Sequence, residues 1–436
     1  MTFDQVAALV VLLAVVGALI NGKLRADVVA LAGAATLLAL GVIRPVEAQS
    51  AFASPALIAL ASLFVIAYAM ELSGLLAAVI RLAIRLCRRL GAPGIWLVIG
   101  LCGLASAFLN NTPIVVLAAP VVRDVAASLK LPPRRFLIPL SYVTILGGAC
   151  TLIGTSTNLL VNDMASSAGQ PRFDLFDVTP VAAVLTVVGL LYLLVFAPRL
   201  LGGSGAPGMD YTEAVEEAAE SGSGSVGDPA VFMIDERPLD VRRAAASLAV
   251  FVGVVVVSAL GYAPIAAAAF TGATLLVLTR VISADEAYRG LRPEILLLIA
   301  GMVVIGLSLE VSGLAQVATK QLTVLVQGMS PRQALMLLYA GTLVLTEILS
   351  NAAVAVLVTP VAVALAESLG VSPQPFIVSV MLAASAAFAT PFGYQTNVLV
   401  YEMGRYSYMD FVRVGLPLNI ITWLVGSYLI PLVFPF

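Results

Sequence analysis

The chain has 436 residues, 61% of them hydrophobic and 11% charged, with a mean hydropathy of +1.05. A soluble domain carries about 25% charged residues, so this chain cannot build a water-facing surface and most of it must face lipid. A net charge of −2 with no basic, aromatic-interleaved patch gives nucleic-acid binding no support.

Histidine is absent, which removes the commonest general base and metal ligand. Cys87, Cys102 and Cys150 are scattered in apolar stretches without a CxxC spacing, so neither a zinc site nor a disulfide framework is expected.

A membrane-crossing helix needs about 20 apolar residues. Apolar stretches at 4–21, 27–43 and 55–70 read as the first spans. The first runs into Asn21-Gly22-Lys23 with no A-x-A site behind a basic leader. It reads as a retained helix, and the host membrane as a prokaryotic inner membrane. Residues 73–90 carry Arg81, Arg85, Arg88 and Arg89 at helical spacing and read as interfacial. Two apolar arms, 93–109 and 113–128, flank Asn110-Asn111-Thr112. The stretch 135–165 is interrupted at Gly154-Thr155-Ser156-Thr157-Asn158, and a full span follows at 179–198.

Residues 202–230 are Gly-, Ser- and acid-rich and read as a flexible linker. Apolar runs resume at 244–261, 264–281 and 294–309, with a weaker one at 312–328. The arms 333–349 and 353–366 flank Ser350-Asn351-Ala352. A break at Pro391-Phe392-Gly393-Tyr394-Gln395-Thr396-Asn397 splits 374–404, and the last span covers 415–434.

The halves repeat each other. Glu71-Leu72-Ser73-Gly74-Leu75 matches Glu310-Val311-Ser312-Gly313-Leu314, and Gly154, Thr157, Asn158 and Asp163 match Gly393, Thr396, Asn397 and Glu402, at an offset of 239. Asn111 and Pro120 match Asn351 and Pro360 at an offset of 240. With Arg81–Arg89 placed in the cytoplasm and both tips treated as re-entrant hairpins, only Arg44, Arg172, Lys320 and Arg332 fall outside.

The halves then begin on opposite sides, so the repeat is inverted. The expected fold is an all-α polytopic membrane protein. Residues 1–198 form one repeat, with a hairpin at 93–128 and a broken helix at 135–165. Residues 199–243 form a cytoplasmic linker. Residues 244–436 form the second repeat, with a hairpin at 331–368 and a broken helix at 374–404. Inverted repeats with broken helices are the recurring build of secondary transporters.

Irregular backbone at membrane depth must be buried or line a cavity. Each tip ends one half-helix and starts another, whose free N–H groups suit an anion. Each break offers carbonyls, hydroxyls and Asn oxygens, hard ligands for a small cation such as Na⁺, and glycine permits the local geometry. The structural alternatives are N-caps at the tips and a ligand-free kink at the breaks. Glu347 is an intramembrane carboxylate one turn before Asn351, where the first half has Ala107, and is the candidate for proton coupling. Glu71 and Glu310 end spans beside Ser-Gly and read as structural.

The tips, with Ala389-Thr390-Pro391-Phe392-Gly393-Tyr394-Gln395-Thr396-Asn397, Tyr401 and Asp410-Phe411, resemble the divalent anion/sodium symporter (DASS) family of the ion transporter superfamily, and within it the sulfate-transporter-like permease branch. The resemblance covers essentially the whole membrane part. It implies an elevator mechanism in a homodimer that binds a small anion, needs no cofactor and uses Na⁺ as coupling ion, with H⁺ as the alternative. Asn111, Gly154 and Asn158, with Thr155 and Thr157, would bind the first sodium, and Asn351, Gly393, Thr396 and Asn397 the second. Asn110, Asn111, Thr112, Ser350, Asn351, Thr390 and Pro391 would face the anion.

Asn110 replaces the family's first tip serine and Ala352 its second tip threonine. In the dicarboxylate members that threonine helps hold a carboxylate, so sulfate or a similar oxyanion is favoured. The branch's regulatory domain between the halves is not expected here. The competing readings are an arsenite-efflux-like or Na⁺/H⁺ antiporter of the same superfamily and, more remotely, a membrane-embedded enzyme or receptor.

Overall fold

The structure is a computed structural model. It describes residues 2–21, 24–75, 78, 90–201, 239–314, 317, 328–391 and 393–436. Arg81, Arg85, Cys87, Arg88 and Arg89, the linker 202–230, Lys23, Arg237, Lys320 and Phe392 lie outside the described residues, as does most of the weak apolar run 312–328.

The described residues are helical throughout, with no strand. The first half holds α1 (Phe3–Asn21), α2 (Ala26–Ala39), α3 (Pro45–Phe52), α4 (Pro55–Leu72), α5 (Ala92–Ser106), α6 (Asn111–Ser128), α7 (Arg134–Gly148), α8 (Ser156–Ser167) and α9 (Thr179–Leu200). The second holds α10 (Val241–Ala259), α11 (Ile265–Leu278), α12 (Ala284–Gly290), α13 (Pro293–Val311), α14 (Pro331–Thr346), α15 (Asn351–Leu369), α16 (Gln374–Ala384), α17 (Gln395–Gly404) and α18 (Tyr408–Val433). Among the described residues five segments are long and apolar enough to cross a membrane, or six if the bent pair α12–α13 is one span.

The short helices α3 and α12 were not expected from the apolar pattern. They are set by local capping. Ser283 and Glu286 form a capping box at α12, and Pro45 occupies the first turn of α3. The helix after the linker starts at Val241, because Asp240 accepts from the Arg242 and Arg243 amides at 3.1 Å. The last span begins earlier than its apolar stretch, at Tyr408, since Ser407 and Asp410 cap it through a box.

Helix packing divides the molecule into two bodies. In one, α1–α4 pack with α10–α13; in the other, α5–α9 pack with α14–α18. The pairings recur when the halves are exchanged: α2 packs on α13 as α11 packs on α4, and α5 packs on α7 as α14 packs on α16. Backbones approach closely in the second body. A Cβ on Gly147 of α7 would fall on the backbone of Gly103 in α5.

One ion pair ties the halves together at the start of α7 and α18. Arg134 Nη2 meets Asp410 Oδ2 at 2.6 Å, with the two side chains 19% and 12% exposed. The guanidinium also lies 5.0 Å from the Tyr406 ring centroid, and the Tyr406 hydroxyl donates to the Arg134 carbonyl. Removing one partner leaves a mostly buried charge alone, at a cost of about 3 kcal/mol. Asp410→Ala is therefore expected to lower the melting temperature of the detergent-purified protein by several degrees. An unchanged melting curve would show that the pair does not hold the halves together.

Candidate functional site

Each half sets a hairpin tip beside a backbone break. The tips lie between α5 and α6 and between α14 and α15. The breaks lie between α7 and α8 and between α16 and α17. Three of the predicted ligands also serve as N-caps. Asn110 accepts from the Thr112 amide at 3.4 Å, Ser350 from the Ala353 amide at 3.3 Å, and Thr155 from the Thr157 amide at 3.4 Å. These contacts occupy side-chain oxygens. The Asn110 NH₂ and the Ser350 O–H remain as donors.

In the first half the break closes around oxygens. The Ser106 hydroxyl donates to Asn111 Oδ1, and the Thr151 hydroxyl donates to the Ala107 carbonyl. The Gly154 amide donates to Thr151 Oγ1 at 3.2 Å. Asn158 Nδ2 donates to the carbonyls of Ala149 (3.2 Å) and Thr151 (3.0 Å), bridging the unwound chain. Its Oδ1 is buried and accepts no hydrogen bond among the described residues. A Cβ at Gly154 would collide with the carbonyl oxygens of Ser106, Ala107 and Gly148, and one at Gly148 would fall against the Asn111 carboxamide.

The result is a buried, uncharged cluster of oxygens with one acceptor left over. Buried polar atoms rarely go unpaired without a ligand or water to meet them. No group of three or more His, Cys, Asp or Glu side chains able to hold a metal occurs among the described residues. The donor set is therefore neutral oxygen, which fits a monovalent cation.

The second half repeats this frame with one substitution in its chemistry. Thr346 stands where Ser106 does, and its hydroxyl lies 2.9 Å from Asn351 Oδ1 and 2.6 Å from the Ala384 carbonyl. Asn397 Nδ2 donates to the carbonyls of Ala387 (2.8 Å) and Thr390 (3.3 Å), as Asn158 does across its own break. Asn397 Oδ1 accepts a hydrogen bond from the Ser141 hydroxyl at 2.7 Å, and Ser141 lies 2.8 Å from the Thr396 hydroxyl. Unlike Asn158, this Asn has no spare oxygen.

Glu347 occupies the difference. Its Oε1 accepts from the amides of Phe388 (2.9 Å) and Ala389 (2.8 Å) and from Asn419 Nδ2 (2.7 Å). Its Oε2 accepts from Thr390 at 2.8 Å. The carboxylate thus caps the unwound segment and ties it to α18. Thr390, expected at the anion, spends its hydroxyl on Glu347. Pro391 is buried in the same segment.

Two residues of this cluster, Tyr394 and Gln395, carried no assigned role in the sequence. Asn111 Nδ2 donates to the Tyr394 hydroxyl at 2.8 Å, and the Thr112 hydroxyl donates to Gln395 Oε1 at 3.2 Å. Ser106 and Thr346 also went unassigned. Their signal was legible: a hydroxyl residue stands five positions before each tip Asn. A cavity of about 300 Å³ lies elsewhere, between α4, α11 and α8, beside the Asp163–Arg172 ion pair.

A two-body helical membrane protein with paired hairpin tips and broken helices belongs to the class of multi-pass transporters. The citrate transporter (CitMHS) family model matches residues 11–370 and 320–436, and the chain belongs to that family. This agrees with the resemblance to the divalent anion/sodium symporters. The protein from Synechocystis called Uncharacterized transporter sll0640 is 25% identical over 577 aligned residues, spanning 94% of each chain. That alignment is longer than this chain, so the relative carries inserted residues that this chain lacks. Sodium/sulfate cotransporter 1 of Chlamydomonas reinhardtii is 31% identical over 159 residues, 36% of this chain and 18% of that one. The solved YdaH transporter of Alcanivorax borkumensis shares the fold, with a TM-score of 0.59 at 16% identity over 88% of this chain and 86% of its own. The chain is thus an integral membrane transporter, not an enzyme.

A methyl group at position 154 would fill the oxygen cluster. Gly154→Ala is expected to abolish any stabilisation by sodium chloride over choline chloride in thermal melting. Gly17→Ala, which meets nothing within 4 Å, should leave that stabilisation intact. A full sodium response in Gly154→Ala would place the ion elsewhere.

Proposed function

We propose that this chain is a sodium-coupled symporter of a small divalent anion, sulfate or a dicarboxylate, working as an elevator in a homodimer. The observation that carries this reading is the neutral oxygen cluster of the first half, with the buried Asn158 Oδ1 left without a donor among the described residues. Neither tip nor break contains Lys or Arg. A divalent anion at membrane depth then needs co-bound cations, because an uncompensated charge there is costly. Helix N-termini at Asn111 and Asn351 supply neutral donors to the anion.

The division into two helical bodies supports a scaffold of α1–α4 and α10–α13 and a moving body of α5–α9 and α14–α18. Exchange-symmetric helix pairs support the inverted repeat of the two halves, and the segment between α9 and α10 is read as a cytoplasmic linker. The name of the Chlamydomonas relative favours sodium and sulfate, while the family description adds carboxylates as competitors. The host membrane is read as a prokaryotic inner membrane.

A second reading rests on Glu347. A partly buried carboxylate at the second break is a titratable group where the first half has Ala107. It would suit proton coupling, in symport or in an arsenite-efflux-like or Na⁺/H⁺ antiporter.

Uptake of labelled sulfate into proteoliposomes, under an inward sodium gradient and then a proton gradient, separates these readings. Sodium-driven uptake is expected, reduced about tenfold or more by Asn111→Ala or Asn351→Ala through loss of buried hydrogen bonds. If sodium drives neither sulfate nor succinate nor citrate, the symporter reading is wrong. Transport driven by pH and lost in Glu347→Gln would establish the second reading in its place.

A further inference from the structure

The first half's oxygen cluster is completed by a side chain from the second half. Asn111 is held at both ends of its carboxamide. Oδ1 accepts a hydrogen bond from the Ser106 hydroxyl, and Nδ2 donates to the Tyr394 hydroxyl at 2.8 Å. The Tyr394 hydroxyl also lies beside the side chain of Thr155, the N-cap of α8. One phenol therefore touches both the hairpin tip and the start of the half-helix beyond the break. Tyr394 is itself the residue before α17, three positions after Pro391 of the Thr390–Pro391 segment that Glu347 caps. The Thr112–Gln395 bond runs beside it as a second strut, at 3.2 Å.

The link runs one way. Thr155 is the repeat counterpart of Tyr394, at the offset of 239. Its side chain is short, and among the described residues it makes no bond to Asn351, whose Oδ1 meets Thr346 instead. The two equivalent positions meet each other, but only the tyrosine reaches across to a tip Asn.

We propose that Tyr394 is a positioning residue that links cation binding in the first half to the anion-facing segment of the second. This rests on the sodium-coupled reading above. A cation drawn to Asn111 Oδ1 withdraws density from the amide and makes Nδ2 a stronger donor to the phenol. The phenol then holds Gln395 and the preceding unwound segment more firmly against the first tip. Sodium and anion affinities rise together, and by linkage each raises the other by the same factor.

Tyr394→Phe keeps the ring and removes the link. Sodium binding to purified protein is read by thermal melting in sodium against choline chloride, and sulfate binding by filter assay with and without sodium. The variant is expected to weaken sodium binding about five- to tenfold, the range of one buried hydrogen bond. The factor by which sodium tightens sulfate binding should fall towards one. Loss of packing alone would lower the melting temperature without flattening that linkage.

Thr155→Val, singly and combined with Tyr394→Phe, closes a double-mutant cycle that cancels the threonine's own loss as a cap. Non-additive effects on sodium binding support the link, and additive effects overturn it. Should Tyr394→Phe fail to fold, loss of sodium linkage in Thr155→Val supports the proposal and retained linkage overturns it. Wild-type protein with sodium dependence, alongside a Tyr394→Phe variant of unchanged linkage, overturns this inference alone. Wild-type protein indifferent to sodium overturns it together with the symporter reading.

Discussion

Backbone that leaves the helix at membrane depth has no water to hydrogen-bond, and the second helical body is organised around that constraint. Asn158 and Asn397 answer it in the same way. Each donates both hydrogens of its amide to two carbonyls across its own break. A side-chain amide has two donors, so one Asn can staple two unwound carbonyls, and no hydroxyl can do the same. What each Asn does with its remaining oxygen then separates the two halves. Asn397 gives it to Ser141. Asn158 keeps it, and a ligand-seeking atom is created by the same residue that satisfies the backbone.

The halves are alike in frame and unlike in charge. Thr151 and Thr390 both reach the chain at the adjoining tip, the one through the Ala107 carbonyl and the other through Glu347. In the first half that leaves a neutral cluster. In the second, the carboxylate of Glu347 binds two amides, a hydroxyl and the Asn419 amide, so its charge is spread over four donors drawn from the break and from α18. A buried carboxylate without such donors would be far costlier. Glu347 is thus first a fastening for the unwound segment, tying it to α18.

The repeat made most of the frame legible. Helix positions followed from apolar runs, and the tip and break Asn residues followed from two offsets in the sequence. The short helices α3 and α12 did not, because eight or fewer residues held by caps leave no apolar period to read. The roles of Asn110, Ser350 and Thr155 were open between capping and binding, since the same oxygen chemistry serves both, and only the 3.3–3.4 Å contacts to their own helices settle where those oxygens point. Tyr394 and Gln395 lay beyond the sequence for a different reason. A repeat pairs each residue with its counterpart, whereas their bonds to Asn111 and Thr112 join positions 283 apart that are not counterparts.

Such crossed contacts are what make two half-sites one site. α6 packs on α17, and α15 packs on α8, so each tip helix rests on the half-helix of the other repeat. Had each tip packed only on its own break, a cation in one half would leave the other half indifferent. Crossing forces the two to share surfaces, and any ligand that orders one tip orders the opposite break. Under the linkage proposed for Tyr394, its asymmetry against Thr155 sets the direction in which that ordering is strongest, from the neutral oxygen cluster of the first half into the carboxylate-capped segment of the second.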